Sequence, residues 1–197
     1  MRILNLVENE EGVPDCEAAH GLSFYVETQN HKLLFDTSPS DVVLRNAERL
    51  GVDLTAVDTV ILSHGHYDHS GGIMAFTEIN PRAKIYMQHN AGGEFYAFDG
   101  EYKGFRYIGI DKRILDLPQV TLLHGDTKLD DELQIFTVDK RALPLPSTNA
   151  RLRELCGGQY IPDEFKHEQN LFLTCVGKKI LFCGCAHNGI LNVMKTL

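Results

Sequence analysis

Residues 57–72 read Val57-Asp58-Thr59-Val60-Ile61-Leu62-Ser63-His64-Gly65-His66-Tyr67-Asp68-His69-Ser70-Gly71-Gly72, and this stretch organises everything around it. Val57 to Leu62 reads as a short buried strand that runs into Ser63. Three imidazoles and a carboxylate then fall within residues 64–69. That donor set suits a borderline cation, zinc first, with iron or manganese as the other options. The spacing predicts a geometry. His64 and His66, two residues apart in an extended turn, project the same way and grip one ion. Asp68 and His69 follow where the chain bends into a helix, and reach a second ion beside the first. Two ions ~3.5–4 Å apart hold a bridging water and bring its pKa to ~7, so hydroxide is available at neutral pH. Gly65 keeps the backbone close, and Gly71-Gly72 let the next helix start with no side chain over the site.

Working outward, Arg2 to Val7, Leu22 to Thr28 and Lys32 to Phe35 read as strands, and Ser40 to Leu50 as a helix. Val43, Ala47 and Leu50 give that helix its apolar face, and Gly51 ends it. Beyond the cluster, a helix begins near Gly71. Strands follow at Lys84 to Gln88, Gln119 to Leu123, Leu133 to Val138, Asn170 to Val176 and Lys179 to Cys183. Two stretches, roughly Asn90 to Pro118 and Asp139 to Lys166, read as irregular, and connections that long are usually lids or pocket walls. No linker is marked, so one domain over residues 1–197, with two sheets and outer helices, is the expected packing.

Composition narrows the partners. Nineteen Lys and Arg against 27 Asp and Glu leave a formal charge of −8, which disfavours a nucleic-acid coat or a polybasic membrane anchor. No window approaches the ~20 apolar residues of a membrane-spanning helix. Met1 to Val7 is too short for a signal peptide, and the chain reads as cytoplasmic. Five scattered cysteines (Cys16, Cys156, Cys175, Cys183, Cys185) fit free thiols better than a disulfide framework. The expected partner is a small-molecule substrate, with a homo-oligomer left open.

The run Ile61 to Gly72 resembles the signature of the metallo-β-lactamase superfamily, and Leu33-Leu34-Phe35-Asp36-Thr37 resembles that family's strand ending in Asp. Ala19-His20-Gly21-Leu22-Ser23 and Gly184-Cys185-Ala186-His187-Asn188-Gly189 are similar to the group of dihydropterin-ribofuranosyl-aminobenzene phosphate synthase-like hydrolases. The resemblance implies an α/β fold, a four-layer αββα sandwich with a dinuclear site at the sheet edge. It also implies that Asp36 supports a ligating histidine from behind. By position His167, ahead of its strand, matches the family's third histidine. Cys185 stands where most of the superfamily has a metal-bridging Asp, and is either a zinc ligand or an inert lining residue. His187 completes the second ion, contacts substrate, or is a solvated loop residue. His20 matches a histidine of the same group, as a proton donor or anion contact, or as a plain loop histidine. The family's last histidine has no counterpart after His187 before Leu197. Three readings stay open there: a closing strand and ligand missing from the chain, a second ion held by Asp68, His69 and one of Cys185 or His187, or one well-bound ion.

The expectation is a metal-dependent hydrolase in which a metal-bound hydroxide attacks a carbonyl or phosphoryl centre. Asp68 orients the nucleophile as well as ligating, and the resemblance suggests a phosphate-bearing or pterin-like substrate. An iron-based redox or oxygen-handling protein on the same fold, and a silent metal-binding module, are the alternatives. Arg141, Arg151, Arg153 and Lys166 either balance an anionic substrate or form a solvated positive face.

Overall fold

The first strands of the chain are short because polar breaks interrupt the apolar runs. In the computed structural model, which describes residues 1–197, they are β1 (Arg2–Val7), β2 (Ser23–Glu27) and β3 (Lys32–Phe35), paired antiparallel in sequence. The chain then crosses over through α1 (Val42–Arg49) to β4 (Thr59–Ile61), which lies parallel to β3. A second crossover, α2 (Tyr67–Ser70) and α3 (Ile73–Ile79), leads to β5 (Lys84–Gln88), again parallel. Parallel strands need such crossovers and are covered on both faces. Accordingly Leu33, Leu34, Phe35, Val60 and Ile61 are fully buried. Removing side chains of that size from water is worth ~1.5–3 kcal/mol each. Helix α1 buries Val42, Val43, Asn46 and Ala47 on one face, while Arg45 and Arg49 point out to Glu17.

After β5 come β6 (Phe95–Phe98) and β7 (Phe105–Tyr107), then β8 (Val120–Leu123), which closes the six-stranded sheet in the order β1-β2-β3-β4-β5-β8. Next are β9 (Thr127–Lys128), β10 (Leu133–Phe136), β11 (Leu152–Cys156), β12 (Gln159–Pro162), β13 (Asn170–Cys175), β14 (Lys178–Phe182) and α4 (Ile190–Thr196). A second sheet, β14-β13-β10-β9, faces the first. Phe35 and Ile61 from one sheet and Ile135, Leu171 and Leu173 from the other form the core between them. Helices α1 and α3 pack a separate core on the outer face of the first sheet.

Here the expectation of two irregular stretches is corrected. They pair with each other as a third antiparallel sheet, β12-β11-β6-β7, with Leu152 opposite Ala97 and Ala97 opposite Arg106. Phe95 and Ala97 turn inward and Tyr96 and Phe98 are only half-buried, the alternation of a strand. The strands are three to five residues long, and while β6–β7 and β11–β12 are local hairpins, the β6–β11 pairing that joins them spans some 55 residues. The gap between Gln88 and Val120 is therefore a folded wall rather than a lid. No helix is long and apolar enough to cross a membrane.

Candidate metal centre

The C-terminal ends of β3 and β4 emerge side by side, since Asp36 N–H donates to Ile61 carbonyl, and an α/β sheet offers its sites at that edge. Asp36 takes a left-handed backbone, φ 60°, which short polar residues tolerate best. The bend turns its carboxylate back across β4. Oδ1 accepts from Ser63 N–H at 2.7 Å, while Oδ2 accepts from Ser63 Oγ at 2.7 Å and His69 Nδ1 at 2.6 Å. With its proton spent on Asp36, Ser63 Oγ accepts from His64 Nδ1 at 2.9 Å. One buried carboxylate thus fixes two imidazoles, each aiming its Nε2 the other way.

His187 is fixed from a different direction. Its Nδ1 donates to Asn149 Oδ1 at 2.9 Å, and Asn149 Nδ2 returns a bond to the His187 carbonyl at 2.7 Å. Buried Glu168 accepts from the backbone N–H of His187 and Asn188 and from Asn188 Nδ2, pinning the loop that carries the ring. Burial pushes the Glu168 carboxyl up, and those three bonds work against it.

The consequence is a set of bare nitrogens. Nε2 of His64, His66 and His187 are buried without any partner. The only other buried side chain so placed is the Asn170 amide, for which the structure offers no account. The three rings lie 4.6–5.0 Å apart, centroid to centroid. Burial, reinforced by the neighbouring imidazoles, holds His64 and His66 well below the ordinary range and takes His187 down to about 3. Neutral imidazoles with a lone pair facing inward are what a cation needs, and an unpaired buried nitrogen costs ~1–3 kcal/mol without one. Beside them Cys185 Sγ lies 3.2 Å from His69 Nε2, and Asp68 Oδ2 lies 3.7 Å from the same nitrogen. Burial opposes charge on His69, but contact with Asp36, then Cys185, carries it well above the imidazole range. The donor atoms of His64, Cys185 and His187, and of His64, Asp68 and His69, each lie within 4.8 Å of one another. The residues therefore fit a cation, or two neighbouring ones.

His167 stands apart. Its Nδ1 accepts from Gly65 N–H at 3.0 Å, so its proton sits on Nε2, which donates to Asp163 Oδ2 at 3.1 Å. His66, Asp163 and His167 do converge, yet both nitrogens of His167 are already engaged. Its visible work is to brace the turn between His64 and His66. The sequence reading passed over Asp163, Asn149 and Glu168, which carry no local motif. His20 is exposed and its Nε2 hangs 3.5 Å from Asp68 Oδ2. Gly71 and Gly72 are small for a reason other than the expected one. A Cβ there would strike the backbone of Pro39 and Thr37, so they permit close packing on the loop after β3.

A cleft of about 240 Å³ opens over these groups. His20, His66, Asp68, Cys185 and His187 line one side, and Ala97, Arg106, Ile108 and Leu152 of the third sheet line the other. Of the four cations singled out in sequence only Arg151 reaches it. Lys166 pairs with Glu164, Arg153 bonds the carbonyls of Ala150 and Leu152, and Arg141 lines a different hollow.

The sequence model of the metallo-beta-lactamase superfamily matches residues 17–147. The chain is 29% identical over 194 residues to the uncharacterized protein MJ0448 of Methanocaldococcus jannaschii, covering 90% of this chain and 67% of that one. It is 26% identical over 196 residues to the 7,8-dihydropterin-6-methyl-4-(beta-D-ribofuranosyl)-aminobenzene-5'-phosphate synthase of the same organism, covering 89% and 64%. It thus spans about two thirds of the length of these curated relatives. The crystal structure of Tm1679, a metal-dependent hydrolase of the beta-lactamase superfamily, superposes with a TM-score of 0.77 at 26% identity, over 98% of this chain and 69% of that one. A quorum-quenching N-acyl homoserine lactone lactonase shares the fold alone, at a TM-score of 0.53 and 16% identity over 89% and 72% of the two chains. With the layered α/β sheets, the histidine turn at their edge and these matches in agreement, the chain belongs to the metallo-beta-lactamase superfamily of metal-dependent hydrolases.

Proposed function

We propose that the protein hydrolyses a small, phosphate-bearing or pterin-like molecule with zinc as its cofactor. The observation that carries this reading is the set of three buried, unpartnered Nε2 atoms on His64, His66 and His187, whose rings lie 4.6–5.0 Å apart beneath an open cleft. His64, His66 and His187, with rings 4.6–5.0 Å apart, would hold one ion, and Asp68, His69 and Cys185 a second beside it. A thiolate among the donors favours zinc over manganese. Bound there, the cation supplies Lewis acidity and a water whose pKa falls to ~7.

The chain's own groups do the rest. Asp36 and Ser63 fix the rings of His64 and His69 through their Nδ1 atoms, so those ligands stay aimed without rearranging. Asn149 does the same for His187. Asp68 is the one carboxylate among these candidate donors that faces the cleft, placed to accept a proton and orient the attacking oxygen. His20, 3.5 Å from Asp68 and open to solvent, is placed to return that proton to a leaving group through Nε2. The cleft is smaller than the ~300 Å³ at which drug-sized pockets begin, which supports a compact substrate.

The deciding experiment couples metal analysis to turnover of an activated ester. Wild type should bind one to two zinc equivalents without visible absorption and hydrolyse p-nitrophenyl butyrate, and His66→Ala should lose at least ~10³-fold in kcat/KM. Tight iron with a visible spectrum and no hydrolysis would favour redox chemistry instead. Metal that raises Tm while wild type turns over nothing would mark a silent binding module.

A further inference from the structure

The third sheet presents the cleft with a row of cross-strand neighbours. Leu152 on β11 pairs with Ala97 on β6, and Ala97 pairs with Arg106 on β7. Residues two apart on a strand share a face, so Arg106 and Ile108 point the same way, and all four residues line the cleft. Phe105 and Tyr107, on the alternate positions, face out and are exposed. Arg151, just ahead of β11, enters from the same side.

Two guanidinium groups here share one carboxylate. Asp99 Oδ2 accepts from Arg106 Nε at 2.7 Å, and Asp99 Oδ1 lies 3.7 Å from Arg151 Nη1. The first contact fixes the Arg106 side chain by its Nε edge. The second is too long for a strong bond and leaves Arg151 loosely held. Two positive charges against one negative leave a local excess of one positive charge, in a chain whose net charge is −8. The phenol of Tyr67 borders the Arg106 guanidinium, and Tyr67 sits between His66 and Asp68. Tyr67 N–H donates to the Ile108 carbonyl at 2.9 Å, and His66 pairs with Gly109. The strand carrying Arg106 is therefore sewn directly to the turn carrying the candidate ligands. A structural ion pair has no need to stand on the cleft-facing side of its strand or to leave a cation over.

We propose that Arg106 and Arg151 form the seat for a terminal phosphate of the substrate, remote from the bond that is cleaved. Guanidinium forks match the oxygens of a phosphate, and a dianion there turns the local charge from one excess positive to one excess negative. A phosphate so anchored would set which bond of the substrate reaches the zinc side of the cleft. This seat rests on the hydrolase reading for its purpose, but its binding is separable from it.

The test uses the zinc-loaded protein and two esters that differ only in the anion, p-nitrophenyl butyrate and the p-nitrophenyl ester of phosphonopropionic acid. The ratio of kcat/KM for the phosphonate over the butyrate should fall about a hundredfold in the double variant Arg106→Gln, Arg151→Gln, mostly through KM. Arg113→Gln, an exposed arginine paired with Asp111, should leave the ratio where it was. An unchanged ratio in the double variant, or equal losses on both esters, overturns the seat. If wild type turns over neither ester, the hydrolase reading fails instead, and titration calorimetry with phenylphosphonate judges the seat. A tenfold or greater loss of affinity in the double variant supports it, and equal affinity overturns it.

Discussion

Both ends of the β3–β4 pair hold a histidine between acidic groups, and the two ends do opposite things with it. At the start, His31 Nδ1 bonds Asp58 Oδ1 at 2.8 Å and its Nε2 bonds Asp130 Oδ2 at 2.6 Å. Both nitrogens are used, and the ring serves as a strut between the first and second sheets. At the finish, Asp36 takes one nitrogen of His69, and through Ser63 one of His64, leaving His64 Nε2 bare and His69 Nε2 against Cys185 Sγ in the site. The larger cavity, about 630 Å³, lies at the His31 end, and the 240 Å³ cleft lies over the candidate metal centre. Size therefore misleads where nitrogen accounting does not. His64 and His187 each have one nitrogen tied and the other buried and bare.

The same accounting separates His187 from His167, and the largest expected effect tests it. His187→Ala should weaken zinc binding at least a hundredfold while leaving the Tm of the metal-free protein within a few degrees. His167→Ala should do the reverse. It strips the partner from the Gly65 N–H and from the Asp163 carboxylate, both buried, at a cost of about 2–4 kcal/mol. Zinc affinity should then stay within tenfold of wild type. Matching losses of zinc in the two variants, measured by chelator competition, would break the distinction. Asp36→Asn should come next in size. The amide cannot accept from His69 and Ser63 as the carboxylate does, so affinity should fall about 10- to 100-fold with the first coordination sphere intact.

What was readable in the sequence follows the distance between partners. The run His64 to His69 is contiguous, so its chemistry stands in plain view, as does the strand that delivers it. Asp36 was reachable only through its resemblance to a family pattern, since its partners lie 27 and 33 residues ahead. His167 drew attention because it precedes a strand, as the family's third histidine does. What decides its role is an N–H 102 residues away, which no local pattern encodes. Asn149 and Arg106 are ordinary polar residues until the fold brings their stretches to the cleft, and Glu168 until it meets the His187–Asn188 backbone some 20 residues on. That sheet is hidden because its strands are short and its two hairpins join only through β6 and β11, across the whole of β8 to β10.

The smallest effect belongs to the strut. Burial works to lower the His31 pKa, but the bonds to Asp58 and Asp130 outweigh it and the value is raised. A raised folded-state pKa means that the imidazolium stabilises the fold. Its contribution is complete below the unfolded value of ~6.5 and is lost as pH climbs through the folded value. Both carboxylates are more than a third exposed, so solvent screening limits the effect to about 0.5–1 kcal/mol. His31→Gln should therefore cost most near pH ~6 and almost nothing near pH ~9, in urea unfolding followed across that range. Turnover per bound zinc should not change, because the strut and the candidate centre sit at opposite ends of the same strands. A pH-independent cost would mean that His31 acts as a neutral hydrogen-bonding spacer. A loss of turnover would mean that the two ends of the sheet are coupled, and the contrast between tied and free imidazoles would then not be enough to find the site.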